Sequence, residues 1–313
     1  MSGSRLGIDI GGTASRWALT DETGALIARG SAAGATGHFF NPAERARLEA
    51  TLSDIAAQVS ASSSSLGAVV AGITGFGSVG EIEVKQTLTQ RFGVAADRLT
   101  VIDDISLAYA SVFEPGEGHL VSAGTGSIGL HVGAEAGYVR VGGRGILVDD
   151  GGSGSWIALR ALDEIFRGLD RRGDFSEVQA LADAVFSLIG GNDWHAVRGF
   201  VYGGDRGRIG TLATAVALAA HAGDPLALRI LDQAGRELAR LAAALVARTE
   251  ARPTRFTGGV LKLHPVVFAA IAEELHGLDV AVTETDAALA ASTLNSHWRE
   301  TFAALYAEPG GRK

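Results

Sequence analysis

The sequence predicts an α/β protein organised as two similar domains, and three observations carry that expectation. The segment Leu66 to Ile102 reads as strand, helix, strand, an order that favours parallel pairing. A short Gly-Thr-x-Ser pattern occurs twice: Gly12, Thr13 and Ser15 match Gly124, Thr125 and Ser127, 112 positions later (12 to 124), and each copy lies between two apolar strands. Finally, 313 residues that are 47% hydrophobic and 20% charged make a globular chain. Such a chain buries about three quarters of its unfolded surface, and its length suits two domains.

Taken in order, Leu6 to Ile10 alternates apolar with small or polar residues and reads as a strand, which Gly11-Gly12-Thr13 ends. Arg16 to Leu19 is a second strand, Asp21 to Gly24 a turn and Ala25 to Arg29 a third strand. Ser31 to Asn41 is a loop. Pro42 to Ser60 carries Leu48, Leu52, Ile55, Ala56 and Val59 at helical spacing, with Pro42 near the start, where proline is tolerated. After a serine-rich break at 61–65 come a buried-type strand, Leu66 to Ile73, ending in Thr74-Gly75, and a helix, Gly80 to Phe92. A strand, Leu99 to Ile102, then leads through Asp103-Asp104 into a helix, Ile105 to Phe113.

The turn Glu114-Pro115-Gly116-Glu117-Gly118 marks the boundary between an N-terminal domain, 1–115, and a C-terminal domain, 116–290. Beyond it, His119 to Ala123 and Ile128 to Val132 are strands on either side of Gly124-Thr125-Gly126. A glycine-rich stretch covers 142–154, followed by Ala/Leu-rich helices over 155–170, 176–190, 208–222 and 224–249. A strand near 255–257 leads to Gly258-Gly259 and a helix, then a strand over 278–283. A C-terminal helix over 286–310 closes the chain and can join the N-terminal domain.

Several function classes drop out. A net charge of −8 with no basic run argues against a nucleic-acid partner. The absence of cysteine removes disulfides, thiolate zinc sites, cysteine-bound iron–sulfur clusters and cysteine nucleophiles. No apolar segment is long enough for a leader or a membrane span, so the expectation is a cytoplasmic protein without a membrane partner. Glycine is the outlier, with 43 residues gathered in clusters. A globular chain keeps glycine where the backbone turns tightly or approaches a ligand.

The repeated loops give those clusters a chemistry. A hairpin tip without bulky side chains presents backbone N–H groups as a concavity for an anion, and a threonine hydroxyl adds a donor. One such loop reads as well as a plain tight hairpin. Two loops matching at Gly, Thr and Ser favour a pair of phosphate-binding turns for one nucleotide. Gly124 to Gly129 also fits G-x-G-x-x-G, but a strand follows where a dinucleotide fold needs a helix, and no P-loop motif is present.

These residues resemble the two phosphate loops of the superfamily of sugar kinases, heat-shock ATPases and actin. More narrowly, the chain is similar to the BadF/BadG/BcrA/BcrD ATPase family, in its N-acetylglucosamine kinase branch. Gly7 to Thr13 matches the first phosphate motif and Ile102-Asp103-Asp104 the catalytic-aspartate segment. Ser122 to Ser127 matches the second phosphate motif, Gly142 to Trp156 the long glycine-rich block, and Thr257-Gly258-Gly259-Val260 the adenosine motif. The resemblance implies two ribonuclease-H-like (actin-like ATPase) domains with the active site in the interdomain cleft. It implies transfer of the γ-phosphoryl group of ATP to a sugar hydroxyl with Mg²⁺.

By this resemblance Asp104 is the general base, with Asp103 as the alternative. An Asp before an apolar helix also suits an N-cap, and Asp103 can supply that cap. Asp9 would hold Mg²⁺ through water. Gly11, Gly12, Thr13, Gly124, Thr125 and Gly126 would contact phosphate. Gly258 and Gly259 would let adenosine lie close to the backbone, or form an ordinary strand-to-helix turn. The sugar would meet Gly37, His38, Ser127, Gly143, Arg144 and Asp150 beside Asp104.

Three positions depart from the branch: Gly37 and Ile128 stand where it commonly has Asn, and Arg144 where it has Trp. Arg144 suits an anionic substituent such as a carboxylate, or is a solvated surface arginine. The implied substrate is N-acetylglucosamine or glucosamine, with an N-acetylmuramic-type sugar as the alternative. A non-catalytic sugar- or nucleotide-sensing regulator is the rival class. Family members with a cysteine-bound iron–sulfur cluster are disfavoured by the zero cysteine count. The Ala-rich helices would either bury a homodimer face or simply fill the core.

Overall fold

The computed structural model describes residues 3–62, 65–77, 80–133 and 137–306. The chain divides into two compact units. The first draws on 1–117, 131–139 and 285–313, the second on 118–130 and 140–284.

The first unit opens with β1 (Ser4–Ile10), β2 (Ala14–Thr20), β3 (Leu26–Ala33), α1 (Pro42–Ser60), β4 (Leu66–Ile73), α2 (Glu81–Phe92), β5 (Leu99–Ile102) and α3 (Asp104–Ala110). Its sheet runs β3-β2-β1-β4-β5, with β1, β2 and β3 antiparallel and β4 and β5 added parallel to β1. The alternation in β1 puts Leu6, Ile8 and Ile10 in a fully buried cluster with Leu48, Leu52 and Ile55 of α1 and Val84 and Leu88 of α2. Each such side chain contributes about 1.5–3 kcal/mol by leaving water. Asn41 caps α1 by accepting from the Ala43 amide at 3.0 Å, and Pro42 sits at the first helical position.

The second unit contains β6 (His119–Ala123), β7 (Ser127–Val132), β8 (Tyr138–Gly142), α4 (Gly154–Arg172), α5 (Gln179–Ile189), α6 (Trp194–Tyr202), α7 (Arg206–Gly210), α8 (Leu212–His221), α9 (Pro225–Arg248), β9 (Thr254–Thr257), α10 (Pro265–Glu274) and β10 (Val280–Val282). Its sheet runs β10-β9-β6-β7-β8. Read from its far edge, this repeats the first: three consecutive strands, then two added parallel beside the leading one.

The described residues end with α11 (Ala287–Ser292) and α12 (Ser296–Leu305), both in the first unit. Gly7 explains how α11 packs. A Cβ there would lie 2.0 Å from the Ala288 carbonyl oxygen, so only glycine lets the Ala-rich helix rest on β1.

Several elements differ from expectation. The expected C-terminal helix over 286–310 is two helices among the described residues, with 307–310 lying outside them. Asn295 sets the break, because its side chain accepts from the Trp298 amide at 2.8 Å and restarts the chain as an N-cap. The helix expected over 208–222 is interrupted at Thr211 between α7 and α8, and 176–178 is a 3₁₀ turn before α5. Neither β8 nor α6 was anticipated. Residues 131–139 group with the first unit, where Val132 accepts from the Gly116 amide at 2.7 Å and from the Tyr109 hydroxyl at 3.4 Å.

Candidate active site

In the first unit, Gly11-Gly12-Thr13 closes the β1–β2 hairpin, with the Gly11 amide donating to Ala14 at 3.1 Å. The loop is held from below. Ala35 donates its amide to the Gly11 carbonyl at 3.1 Å, and Arg47 reaches the Gly12 carbonyl at 3.3 Å. Gly34 is required there, since a Cβ would fall 2.4 Å from the backbone of Thr13. A Cβ at Gly12 would meet nothing within 4 Å, so the loop's other side is open.

Asp9 ends β1 beside this loop, and Arg16 is its cross-strand partner. Burial pushes its carboxyl up to about 7. The charge of Asp104 adds to the rise, and Arg16 opposes it. Asp103 caps α3 through its Oδ1, which accepts from the Ser106 amide at 2.8 Å. Asp104 is therefore the first helical residue, not the cap. Its Oδ2 accepts a short hydrogen bond from the Thr74 hydroxyl, and Oδ1 accepts from the Ile105 amide at 3.0 Å. Burial raises the Asp104 carboxyl above the usual range, the Thr74 bond opposes that, and the Asp103 charge adds to it. A carboxylate with raised proton affinity suits a general base.

Gly37 and His38 belong to the same cluster. The Gly37 amide donates to the Thr74 carbonyl at 2.7 Å. A Cβ on Gly75 would lie 2.5 Å from His38 Nε2, so the two loops lock together through that glycine. The first unit thus brings together Asp9, Gly11–Thr13, Gly37, His38 and Asp104.

In the second unit, Gly124-Thr125-Gly126 closes the β6–β7 hairpin, with the Gly124 amide donating to Gly126 at 2.9 Å. The start of α4 braces it: the Gly154 amide donates to Gly124 at 2.8 Å and the Ser155 amide to Thr125 at 3.2 Å. The Ser127 hydroxyl donates to the Gly151 carbonyl at 2.7 Å. Asp150 lies under Gly126, whose Cβ position is 3.1 Å from Asp150 Oδ2. It is 2% exposed and is the one non-glycine residue with positive φ (+69°) among the described residues. Its Oδ2 is buried and accepts no hydrogen bond among the described residues. Burial raises its carboxyl, partly offset by the Ser127 amide and the Arg206 charge. A strained, orphaned carboxylate of this kind marks a functional position.

Gly258 holds φ +108°, and a Cβ would lie 2.3 Å from the Ala123 carbonyl oxygen, so the turn after β9 abuts the start of the Gly124-Thr125-Gly126 hairpin. A Cβ at Gly124 or at Gly259 would meet nothing within 4 Å. Gly143 touches Ile128, at 2.9 Å from its Cβ position to Ile128 Cδ1. Arg144 is paired within its own loop, with Nη1 on Asp149 at 3.0 Å. The charge expected to greet an anionic substituent is thus already answered, by an exposed pair of small energy.

The sequence reading missed Thr74, Arg16 and Arg206. Thr74 left a signal, a polar residue closing an otherwise apolar strand. Among the described residues, no cluster of three His, Cys, Asp or Glu side chains is placed to hold a metal, and no helix is long and apolar enough to cross a membrane.

An N-acetylmuramic acid/N-acetylglucosamine kinase of Clostridium acetobutylicum is 31% identical over 143 residues, 45% of this chain and 46% of that protein. The match therefore spans about half the length of that relative. The fold is similar to a candidate N-acetylglucosamine kinase of Chromobacterium violaceum, with TM-score 0.71, 23% identity, and coverage of 93% of this chain and 98% of the other. It is also similar to a ROK family glucokinase of Streptomyces griseus in complex with glucose and AMPPNP, with TM-score 0.59, 18% identity and coverage of 93% and 98%. These two likenesses place the pair of five-stranded α/β units in the actin-like fold of such kinases. The family model for BadF/BadG/BcrA/BcrD ATPases matches residues 6–288, a span that contains both Gly-Thr-x-Ser hairpins, Asp9, Asp104, Asp150 and the Gly258-Gly259 turn, and the chain belongs to that family.

Proposed function

We propose that the protein transfers the γ-phosphoryl group of ATP to a hydroxyl of an amino sugar, with Asp104 as the base. The observation that carries this reading is the Asp104 carboxylate itself. It is freed from capping by Asp103, oriented by Thr74 and raised in proton affinity by burial. A carboxylate so held can accept the proton of an attacking hydroxyl. Phosphoryl transfer asks little more of a protein than this, positioning and charge neutralisation.

The other residues divide the remaining work. Gly12 and Thr13 in one unit, and Thr125 and Gly126 in the other, offer backbone N–H groups and hydroxyls to phosphate oxygens, while Gly11 and Gly124, whose amides close their hairpins, let phosphate approach the backbone. Gly258 and Gly259 receive the adenosine. Gly37, His38, Ser127, Gly143, Arg144 and Asp150 contact the sugar, where the orphaned Asp150 Oδ2 accepts from a hydroxyl or amide.

The donor set fits Mg²⁺. The Asp104 charge adds to the raised proton affinity of Asp9, an excess of negative charge that a cation would relieve. Asp9 would hold Mg²⁺ through water, and the ion would supply charge neutralisation at the phosphates. Arg16, opposite Asp9, adds a fixed positive charge beside the first loop.

N-acetylglucosamine or glucosamine is the favoured acceptor. An N-acetylmuramic-type sugar is the second reading, supported by the similarity to the N-acetylmuramic acid/N-acetylglucosamine kinase of Clostridium acetobutylicum and by Arg144, whose exposed pairing with Asp149 can exchange for a substrate carboxylate. The setting is cytoplasmic and the partner a second copy, met through the Ala-rich α8, whose Leu218 is 66% exposed. The test is sugar-dependent ADP release from Mg-ATP. Turnover with N-acetylglucosamine is expected. ATP binding without turnover on any amino sugar would favour a sensing regulator instead.

A further inference from the structure

Asp103, next to the base, is held at three atoms, and two of its partners are tyrosines from distant parts of the first unit. The Tyr138 hydroxyl, at the start of β8, donates to Asp103 Oδ2 at 2.9 Å. The Asp103 amide donates to the hydroxyl of Tyr306, the residue following α12, at 3.0 Å. That hydroxyl in turn donates to Ser106 Oγ at 3.2 Å. Asp103 Oδ1 caps α3 on the Ser106 amide at 2.8 Å. Asp103 and Ser106 are 8% and 0% exposed, so water does not stand in for these partners.

The contact geometry extends to the base. The ring of Tyr306 stacks on Phe76, with centroids 6.2 Å apart and planes 27° from parallel. Phe76 belongs to the loop whose Thr74 hydroxyl donates to Asp104 Oδ2. Tyr306 therefore acts on Asp104 by two routes. Its hydroxyl fixes the residue before it, and its ring supports the loop that holds its carboxylate. Tyr138 fixes the plane of the Asp103 carboxylate, so that Oδ1 points at the Ser106 amide and the first turn of α3 keeps its direction.

We propose that Tyr138 and Tyr306 are positioning residues for the base: through Asp103 and Phe76 they set the direction of Asp104 toward the acceptor hydroxyl. This rests on the reading of Asp104 as the base. Two segments given no phosphate or sugar contact in the proposed function, the β8 start and the residue after α12, thereby govern the rate of the chemical step. Misplacement of a reacting group by an ångström costs on the order of a hundredfold in rate, while ground-state binding elsewhere is untouched.

The experiment uses the full chain with Tyr138→Phe, Tyr306→Phe and the double variant. Each keeps its ring and loses only the hydroxyl, so the stack on Phe76 and the fold are preserved. Steady-state rates with Mg-ATP and N-acetylglucosamine are read against pH, alongside hydrogen exchange of the Ser106 amide and the melting temperature. The expected result is a fall in kcat of about tenfold to a hundredfold for each variant, with the KM for ATP within about twofold. The acid limb of the kcat/KM profile moves, the Ser106 amide exchanges faster, and the melting temperature stays close to that of the parent.

Wild-type kcat and an unmoved pH profile in both single variants would overturn the proposal. A fall in rate matched by an equal loss of folded protein would overturn it too, since it would show a structural role alone. The control is Asp104→Asn. If that variant turns over at the parent rate, the base reading fails and takes this proposal with it. If it is inactive while the tyrosine variants are unimpaired, only this proposal fails.

Discussion

Asp9 and Asp104 are two carboxylates that the fold leaves dear to ionise, and each makes a separable prediction. The Asp9 carboxyl sits at about 7 in the folded protein against 3.8 for the free group. Between those values the native state holds the proton more tightly than the unfolded chain, so stability falls as pH rises through that window. Above it the penalty is complete, up to about 4 kcal/mol. Asp9→Asn therefore raises the melting temperature at pH 8, has little effect near pH 4, and removes Mg-ATP-dependent turnover. A melting temperature that drops at pH 8 would refute the account of Asp9. If Asp9 holds Mg²⁺ in its ionised form, as proposed, the acid limb of activity lies near 7 at low Mg²⁺ and moves down as Mg²⁺ rises. Profiles at several Mg²⁺ concentrations check this. The sequence placed both residues at strand ends beside glycine loops, because apolar alternation and turn residues are local signals. It left Asp103 and Asp104 as alternatives, since capping depends on which carboxylate meets the Ser106 amide. The raised proton affinities were not legible at all, as they arise from burial and from neighbours far along the chain.

Among the elements, the turns proposed to bind nucleotide contain glycines that the backbone requires and glycines with open space beside them. Gly258→Ala forces a Cβ to 2.3 Å from the Ala123 carbonyl at a positive φ of +108°, so the variant is expected to unfold at lower temperature and lose ATP affinity together. Gly259→Ala meets nothing within 4 Å, so it is expected to keep its melting temperature and lose only ATP affinity. Calorimetric titration with ATP beside thermal melts distinguishes the two, and equal ATP affinity in Gly259→Ala and the parent would remove Gly259 from the adenosine site. Elements with sustained periodicity, such as α1, α4 and α9, were legible with boundaries within a few residues. The short ones were not. The β8 strand takes its place beside β7 only in the folded sheet, α6 is nine residues between glycine-containing turns, and the break before α12 depends on one Asn side chain capping it.

At the scale of the whole molecule, the recurrence of a Gly-Thr-x-Ser loop in the sequence corresponds to a recurrence of the sheet itself, with the same strand order in both units and one such loop at the first hairpin of each. The duplication was readable because the loops need particular residues. The grouping of 131–139 with the first unit was not, because it depends on contacts with Gly116 and Tyr109 that no local pattern announces. If Arg144 selects a substrate carboxylate by releasing Asp149, Arg144→Ala lowers kcat/KM for N-acetylmuramic acid by at least about tenfold more than for N-acetylglucosamine. Equal effects on the two sugars would leave Arg144 as a surface residue. The central claim is that Asp104 takes the proton of a sugar hydroxyl as phosphate is transferred. It is tested most directly by ADP release from Mg-ATP in the parent and in Asp104→Asn, with N-acetylglucosamine present or absent and ATP binding measured in parallel. The account predicts sugar-dependent release in the parent and a loss of at least about a hundredfold in the variant with ATP affinity kept; release by Asp104→Asn at the parent rate would contradict it.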